Sequence, residues 1–305
     1  MPSRVLIIFP GALGDLVLLA PAMAAIARAH RDADLELMAR YELAEFAVRR
    51  LGIARAHSID RREVTLLFRE SEDGDEAQPF FNAFERIYCF FNAEDPNFSK
   101  RLAKCCTRGE VTFHRFRPHS HEHVAVAYLK EVFGHEAKLP APSISLLSED
   151  KNAAEHATSG LVEPGRFVAI FPGSGSPRKN WPIQKYVALA DSLNDTSRAL
   201  FILGPAEEAV AKLLRARGHD FVAGQLLGTV AAIAQMAAAF VGNDSGVSHL
   251  ANIAGARGIV LFGPTDPGRW CPLGNVTILR GDPIDRIEVQ EVIRALWRDV
   301  PFPSR

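Results

Sequence analysis

The feature that most constrains this chain is a unit of local grammar that occurs twice. A short, wholly apolar run ends in a glycine-containing turn and leads into a segment of helical length. Val5-Leu6-Ile7-Ile8-Phe9 is the first such run, and Pro10-Gly11-Ala12-Leu13-Gly14 is its turn. Five apolar residues with no polar alternate read as a strand buried on both faces. Strands of that kind belong to parallel sheets, and parallel neighbours need a crossover of a dozen or more residues. Asp15 to Ala29 supplies one as a helix. Further strands are expected at Leu35–Met38, Ala56–Ile59 and Ile87–Phe91, with helices at Leu43–Leu51 and Val124–Phe133. The grammar restarts with a strand at Phe167–Phe171, a Gly-rich turn and a helix from Ile183 to Leu193. Strands at Ala199–Leu203, Phe240–Gly242 and Gly258–Phe262 then alternate with helices at Ala206–Arg217 and Val247–Ala254.

The alternation predicts an α/β chain of two Rossmann-like, doubly wound parallel-sheet domains, joined near residues 150–165. A length of 305 residues suits two such domains. Ligands of these sheets bind at the carboxyl ends of the strands, and the cleft between two domains is the expected site.

Charge and composition narrow the partners. With 35 Lys+Arg against 36 Asp+Glu the chain lacks the basic excess of a protein that grips nucleic acid by its phosphates. Hydrophobic residues at 48% exclude wholesale disorder. The near-balance conceals local clusters. Glu70, Glu72, Asp73, Asp75 and Glu76 form an acidic run that reads as a solvated loop. Lys100, Arg101, Lys104, Arg108, Arg115 and Arg117 face only Glu110. Cys89, Cys105, Cys106 and Cys271 form no C-x-x-C pair, so buried, reduced thiols and a cytoplasmic location are expected. No apolar run is long enough to span a bilayer, and Asp15 interrupts the segment that most resembles a signal peptide. His114, His119, His121 and His123 are irregularly spaced for a metal site.

Three turns carry the candidate chemistry. In Phe9 to Asp15 the glycines permit a tight turn and Asp15 opens a helix, where a carboxylate serves as an N-cap or as a general base. In Phe171-Pro172-Gly173-Ser174-Gly175-Ser176-Pro177-Arg178-Lys179-Asn180-Trp181-Pro182, small residues free backbone N–H groups for an anion and Lys179 adds a charge. The same loop is compatible with a plain surface turn, and it is not a Walker A loop. In Gly242 to His249 a strand ends and a helix begins, so Ser245, Gly246 and Val247 present N–H groups that bind phosphate at other helix termini. His249 lies one turn in and reads either as an anion ligand or as a core histidine. No G-x-G-x-x-G accompanies these turns, which disfavours an NAD-dependent oxidoreductase, and Ser245 lacks the nucleophile elbow of a Ser-His-Asp hydrolase.

In this order the three turns, with Leu203 to Glu208 and Phe262-Gly263-Pro264-Thr265-Asp266-Pro267, resemble glycosyltransferase family nine, the heptosyltransferases of lipopolysaccharide core assembly. The resemblance implies the GT-B architecture of two Rossmann-like domains facing a central cleft. Residues 1–150 would bind the acceptor and 151–286 the nucleotide sugar, while 287–305, a helix and tail, would pack back toward the first domain. It further implies an inverting, metal-independent transfer of heptose from ADP-heptose to a core saccharide, with no cofactor. Asp15 would be the base that deprotonates the acceptor, and Lys179 would neutralise the leaving diphosphate. Gly11, Gly14, Ser174, Ser176, Asp244, Ser245, Gly246 and His249 would line the donor site. Glu207 or Glu208 would hold the ribose, and Gly228 and Thr229 the adenine. The acceptor half matches poorly over 60–120; there Arg101, Arg115 and Arg117 would meet an anionic saccharide or lipid-linked acceptor, with peripheral contact at the inner membrane surface. The rival readings are a related transferase using another nucleotide-diphosphate sugar, and a nucleotide-sugar binding protein without catalysis.

Overall fold

The computed structural model describes residues 3–69, 76–134, 143–193 and 198–299. The chain divides into two compact units, 1–140 and 141–305.

The first unit runs β1 (Ser3–Ile8), α1 (Leu13–Ala29), β2 (Ala33–Ala39), α2 (Tyr41–Ala47), β3 (Arg55–Ser58), α3 (Arg62–Leu66), α4 (Gln78–Phe81), β4 (Arg86–Cys89), α5 (Pro96–Cys105), β5 (Glu110–Phe113) and α6 (Val124–Phe133). All five strands are parallel, in the order β3-β2-β1-β4-β5. The apolar run of β1 lies at the centre, where both faces are covered, and Val5 to Phe9 are buried. Leu6, Ile8, Met38, Ile87 and Cys89 form one face of the sheet and meet Phe81, Phe84, Phe98 and Leu102 from α4 and α5 and the turn between them and β4. Cys105 and Cys106 join that core and Cys271 is half-buried; none of the four cysteines forms a disulfide among the described residues.

One strand carries a charge inward. Glu36, in the middle of β2, is fully buried. Arg4 grips it with two hydrogen bonds at 2.7 and 2.9 Å, Arg55 adds one at 3.2 Å, and His57 Nε2 lies 2.6 Å from Oε2. Arg61 donates to His57 Nδ1 at 3.2 Å, which leaves the ring proton on Nε2 to face the carboxylate. Burial alone would raise the Glu36 carboxyl, but the His57 and Arg4 hydrogen bonds reverse this and hold its pKa at about 2. A buried carboxylate is tolerated only when matched in this way.

The second unit runs α7 (Ser148–Thr158), β6 (Phe167–Phe171), α8 (Ile183–Ser192), β7 (Arg198–Leu203), α9 (Glu208–Arg217), β8 (Phe221–Ala223), α10 (Leu227–Met236), β9 (Ala239–Asn243), α11 (Gly246–Ile253), β10 (Gly258–Phe262), α12 (Pro267–Trp270), β11 (Val276–Arg280) and α13 (Val289–Asp299). Its six parallel strands take the order β11-β10-β9-β6-β7-β8. Read from β6, this is the 3-2-1-4-5-6 order of doubly wound dinucleotide-binding sheets. Every residue of β6, β9 and β10 is buried.

One boundary falls elsewhere than the sequence suggests. The units part after Pro140, earlier than residue 150, because α7 belongs to the second unit and packs on α10. In the final helix Val292, Ala295 and Leu296 join a core of the second unit with Val168, Trp181 and Ile259. An i, i+3, i+4 stripe faces one partner surface, and here that surface is α8, β10 and β11. The acidic residues at 70–75 lie outside the described residues.

Candidate functional site

In a doubly wound sheet the crossovers on either side of the two central strands lie on opposite faces, which opens a crevice at those strands' carboxyl ends. In the first unit these strands are β1 and β4; in the second they are β6 and β9. All three turns singled out from the sequence leave one of them.

After β1, Phe9 is boxed edge-on by Phe90, Phe116 and Tyr128 at 5.5–5.8 Å between ring centres. A Cβ at position 11 would stand 2.4 Å from the Phe9 ring and 2.7 Å from Asp15 Cβ, so Gly11 is required by close approach. Gly14 lies in the first turn of α1. Asp15, 6% exposed, is the third residue of α1 rather than its N-cap, which is Ala12; its Oδ2 accepts the Ala12 N–H at 3.2 Å. Arg117 Nη2 donates to the same oxygen at 3.1 Å. Oδ1 has no hydrogen-bond partner among the described residues, so one carboxylate oxygen is fixed and the other is open to a proton.

The basic stretch does not act as one patch. Arg117, in the left-handed region at φ 62°, sits over the Phe116 ring and reaches Asp15. Arg101 instead donates to the Leu67 carbonyl at 3.1 Å, and Arg115 lies 3.5 Å from Glu94. His114 is buried against Tyr88 and Phe90, where burial lowers its pKa, and His123 caps α6 through Nδ1. Among the described residues no three His, Cys, Asp or Glu side chains converge as metal ligands would.

In the second unit the loop after β6 carries Lys179 on a short 3-10 turn, Pro177–Lys179. Its Nζ donates to Asp244 Oδ2 at 2.7 Å, just beyond the end of β9. Thr265 Oγ1 donates to the same oxygen at 2.6 Å, and His249 Nε2 stands 3.9 Å from the other. Burial pushes the Asp244 carboxyl up, but His249, Lys179 and Thr265 outweigh it and hold it below the usual carboxylate range. Ser245 is the N-cap of α11, and Gly246 and Val247 open the helix with N–H groups that have no carbonyl behind them. Ser245 Oγ meets Ser248 Oγ at 3.2 Å, and Ser248 donates to the Asn243 carbonyl. His249 is 4% exposed, yet its Nδ1 lacks a partner.

Neighbouring strand ends extend this row. Ser174 Oγ lies 2.6 Å from Asn180 Oδ1 and accepts the Ser176 N–H, so both serines are engaged inside their own loop. After β7, Glu207 accepts the Gly204 N–H at 2.6 Å, and a Cβ at Gly173 would stand 2.2 Å from its Oε1. Burial raises the Glu207 pKa. Glu208 points away and pairs with Lys212 on the surface, which separates two residues the sequence left equivalent. Gly228 and Thr229, after β8, are buried in the first turn of α10.

Two residues at this site carried no role in the sequence reading. Fully buried Asn243 accepts from Trp181 N and Tyr186 OH and donates to the Pro172 carbonyl, which joins the loop after β6 to the end of β9. Thr265 sits in a motif quoted for its likeness only. No local pattern marks either residue, because their partners lie 21 to 71 residues away.

Known proteins give the same picture. The family model for glycosyltransferase family 9 (heptosyltransferase) matches residues 108–287. Lipooligosaccharide heptosyltransferase 2 of Haemophilus influenzae is 28% identical over 174 residues, 52% of this chain. The aligned part spans half of that relative's length, 50%. Among solved structures, the family 9 glycosyl transferase of Veillonella parvula superposes with a TM-score of 0.79 at 18% identity, covering 97% of this chain and 96% of its own. The ADP-heptose heptosyltransferase II of E. coli gives 0.75 at 19%, covering 97% and 98%. E. coli heptosyltransferase WaaC with ADP gives 0.71 at 19%, covering 97% and 100%. At these identities the superpositions establish the two-sheet GT-B fold, and the family match extends over more than half of the chain. The chain belongs to glycosyltransferase family 9.

Proposed function

We propose that this protein transfers heptose from ADP-heptose to an anionic saccharide of the lipopolysaccharide core, with inversion and without a metal. The observation that carries this reading is the spatial order of the strand ends in the second unit. From β9 across β6 and β7 to β8 they present Asp244 with the α11 terminus, then Lys179, then Glu207, then the first turn of α10. That is the order of parts in a nucleoside diphosphate: a diphosphate at a cation and a helix terminus, a ribose at a carboxylate, a base at an apolar turn. Backbone N–H groups and Lys179 stabilise the departing diphosphate in place of a metal.

Displacement at the anomeric carbon needs a base on the face opposite the leaving group. Asp15 fits that role through its open Oδ1, and its neighbour Arg117 fits an acidic group on the acceptor. The resting Arg117 contact orients the Asp15 carboxylate. Asp15 and Lys179 belong to different units.

Titration calorimetry with ADP, UDP and GDP tests the donor. ADP is expected to bind at least tenfold more tightly than the others (about 1.4 kcal/mol); equal affinities would overturn the ADP assignment. Transfer that survives EDTA supports the metal-free mechanism, and its abolition would refute it.

A further inference from the structure

Asp244 poses an electrostatic difficulty. A buried, ionised carboxylate repels a diphosphate, yet this one stands where the diphosphate would lie. Its contacts resolve the difficulty. Oδ2 is shared by Lys179 Nζ at 2.7 Å and Thr265 Oγ1 at 2.6 Å, so the carboxylate faces its donors. Two donors on one oxygen fix the rotation of the carboxylate, and the carboxylate in turn fixes the ammonium. The chain is built to bring Thr265 there. The Asp244 N–H bonds the Leu261 carbonyl at 2.9 Å, which extends the pairing of β9 with β10. At Gly263 an added Cβ would stand 3.0 Å from Ile284 Cβ and 3.5 Å from the Arg178 carbonyl, so the loop after β10 runs close against the loop that carries Lys179. Lys179 itself is 30% exposed on a four-carbon stem with many rotamers, and nothing else in the described contacts holds its tip.

We propose that Thr265 is a positioning residue: through the Asp244 carboxylate it sets where the Lys179 ammonium stands, and so tunes affinity for a nucleoside diphosphate. Thr265 need not touch the ligand. The inference rests on Lys179 being a diphosphate ligand, as proposed above.

The test is a double-mutant cycle on the full chain with ADP as the probe, read by calorimetry. Lys179→Met should weaken ADP strongly. Thr265→Val, which keeps shape and removes the hydroxyl, should weaken it about tenfold, the loss expected for a hydrogen bond to a charged group. Thr265→Ser should restore wild-type affinity. The decisive arm is Thr265→Val made in Lys179→Met, where it should have no further effect, because coupled residues are non-additive. A purely structural threonine would weaken ADP equally in both backgrounds, and that result overturns the proposal. So does unchanged affinity in Thr265→Val while Lys179→Met is impaired, an outcome that leaves the reading of Lys179 intact. If Lys179→Met itself binds ADP normally, the diphosphate reading fails and this inference falls with it. Coincident thermal unfolding of Thr265→Val, Thr265→Ser and wild type confirms that folded proteins are compared.

Discussion

The two units solve the same electrostatic problem in opposite ways. Each places one charge at the switch point of its sheet and holds it with an opposite charge of its own. In the first unit the held group is the acid: Asp15 is 6% exposed and its restraint, Arg117, is 55% exposed. In the second the held group is the cation: Lys179 is 30% exposed, while Asp244, 5% exposed, forms the buried anchor. An exposed arginine is cheap to displace, since surface ion pairs contribute little and salt screens them. A buried carboxylate with two hydrogen-bond donors, one of them charged, cannot move without leaving a charge unpaired. The first unit therefore suits an event that comes and goes, such as accepting a proton or meeting an acceptor. The second suits a fixed task, holding a diphosphate throughout.

The comparison breaks most visibly at the acid. Asp15→Ala should lower transfer by on the order of 10²–10⁴-fold, the range for a general base, and leave ADP affinity unchanged. Steady-state rates beside a calorimetric titration separate the two quantities. Turnover at the wild-type rate would remove Asp15 from the mechanism. The second unit should answer differently: Lys179→Met is expected to weaken ADP binding and to slow transfer by about 10²–10³-fold, as for loss of one preorganised stabiliser of developing charge. A variant that binds ADP normally would show that the two switch points are not divided in this way.

A buried carboxylate away from the switch point sharpens the contrast. Glu36 is as enclosed as Asp244, but its partners Arg4, Arg55 and His57 are used up in neutralising it. Glu36→Gln should destabilise the protein by about 3 kcal/mol, the cost of breaking a buried, hydrogen-bonded ion pair from one side, with no change in ADP affinity. The wild type should show the same group in its pH dependence. The folded pKa lies near 2, below the ordinary 4.5, so the carboxylate's contribution is complete above 4.5 and is lost as pH falls toward 2. Thermal unfolding followed from pH 6 to pH 2 should lose that increment in wild type and not in Glu36→Gln.

Sequence grammar reached the strands whose burial is uniform. β1, β6, β9 and β10 are apolar runs because helices cover both faces, and their turns located Asp15, Lys179 and Asp244. It missed β5, an edge strand exposed at Glu110 and half-buried at Val111, Thr112 and Phe113, set in a charged stretch. It missed α5 there too, although Asp95 caps that helix and Pro96 opens it, a start signal visible in the sequence. Glu36 passed without remark inside the expected strand Leu35–Met38, because its partners come from positions 4, 55 and 57. The same limit hid Asn243 and Thr265. Residue types at a strand end declare that a site exists, while the side chains that hold its charges in place come from loops that only the sheet order brings together.

The smallest effect is the most specific to the first unit. Arg117→Gln removes a single, half-exposed restraint, so stability should change by less than about 1 kcal/mol. Two consequences for transfer follow if Arg117 both steadies Asp15 and meets an acidic acceptor. The rate at saturating acceptor should fall only a few-fold, because Ala12 N–H still holds Asp15 Oδ2. Acceptor KM should rise, and its dependence on salt should flatten, since the screened charge is gone. Arg101→Gln is the control: its guanidinium is tied to the Leu67 carbonyl, and its removal should leave that salt dependence as it is. Equal flattening in both variants would mean that the basic stretch acts as a diffuse field, and the distinction drawn at Arg117 would be lost.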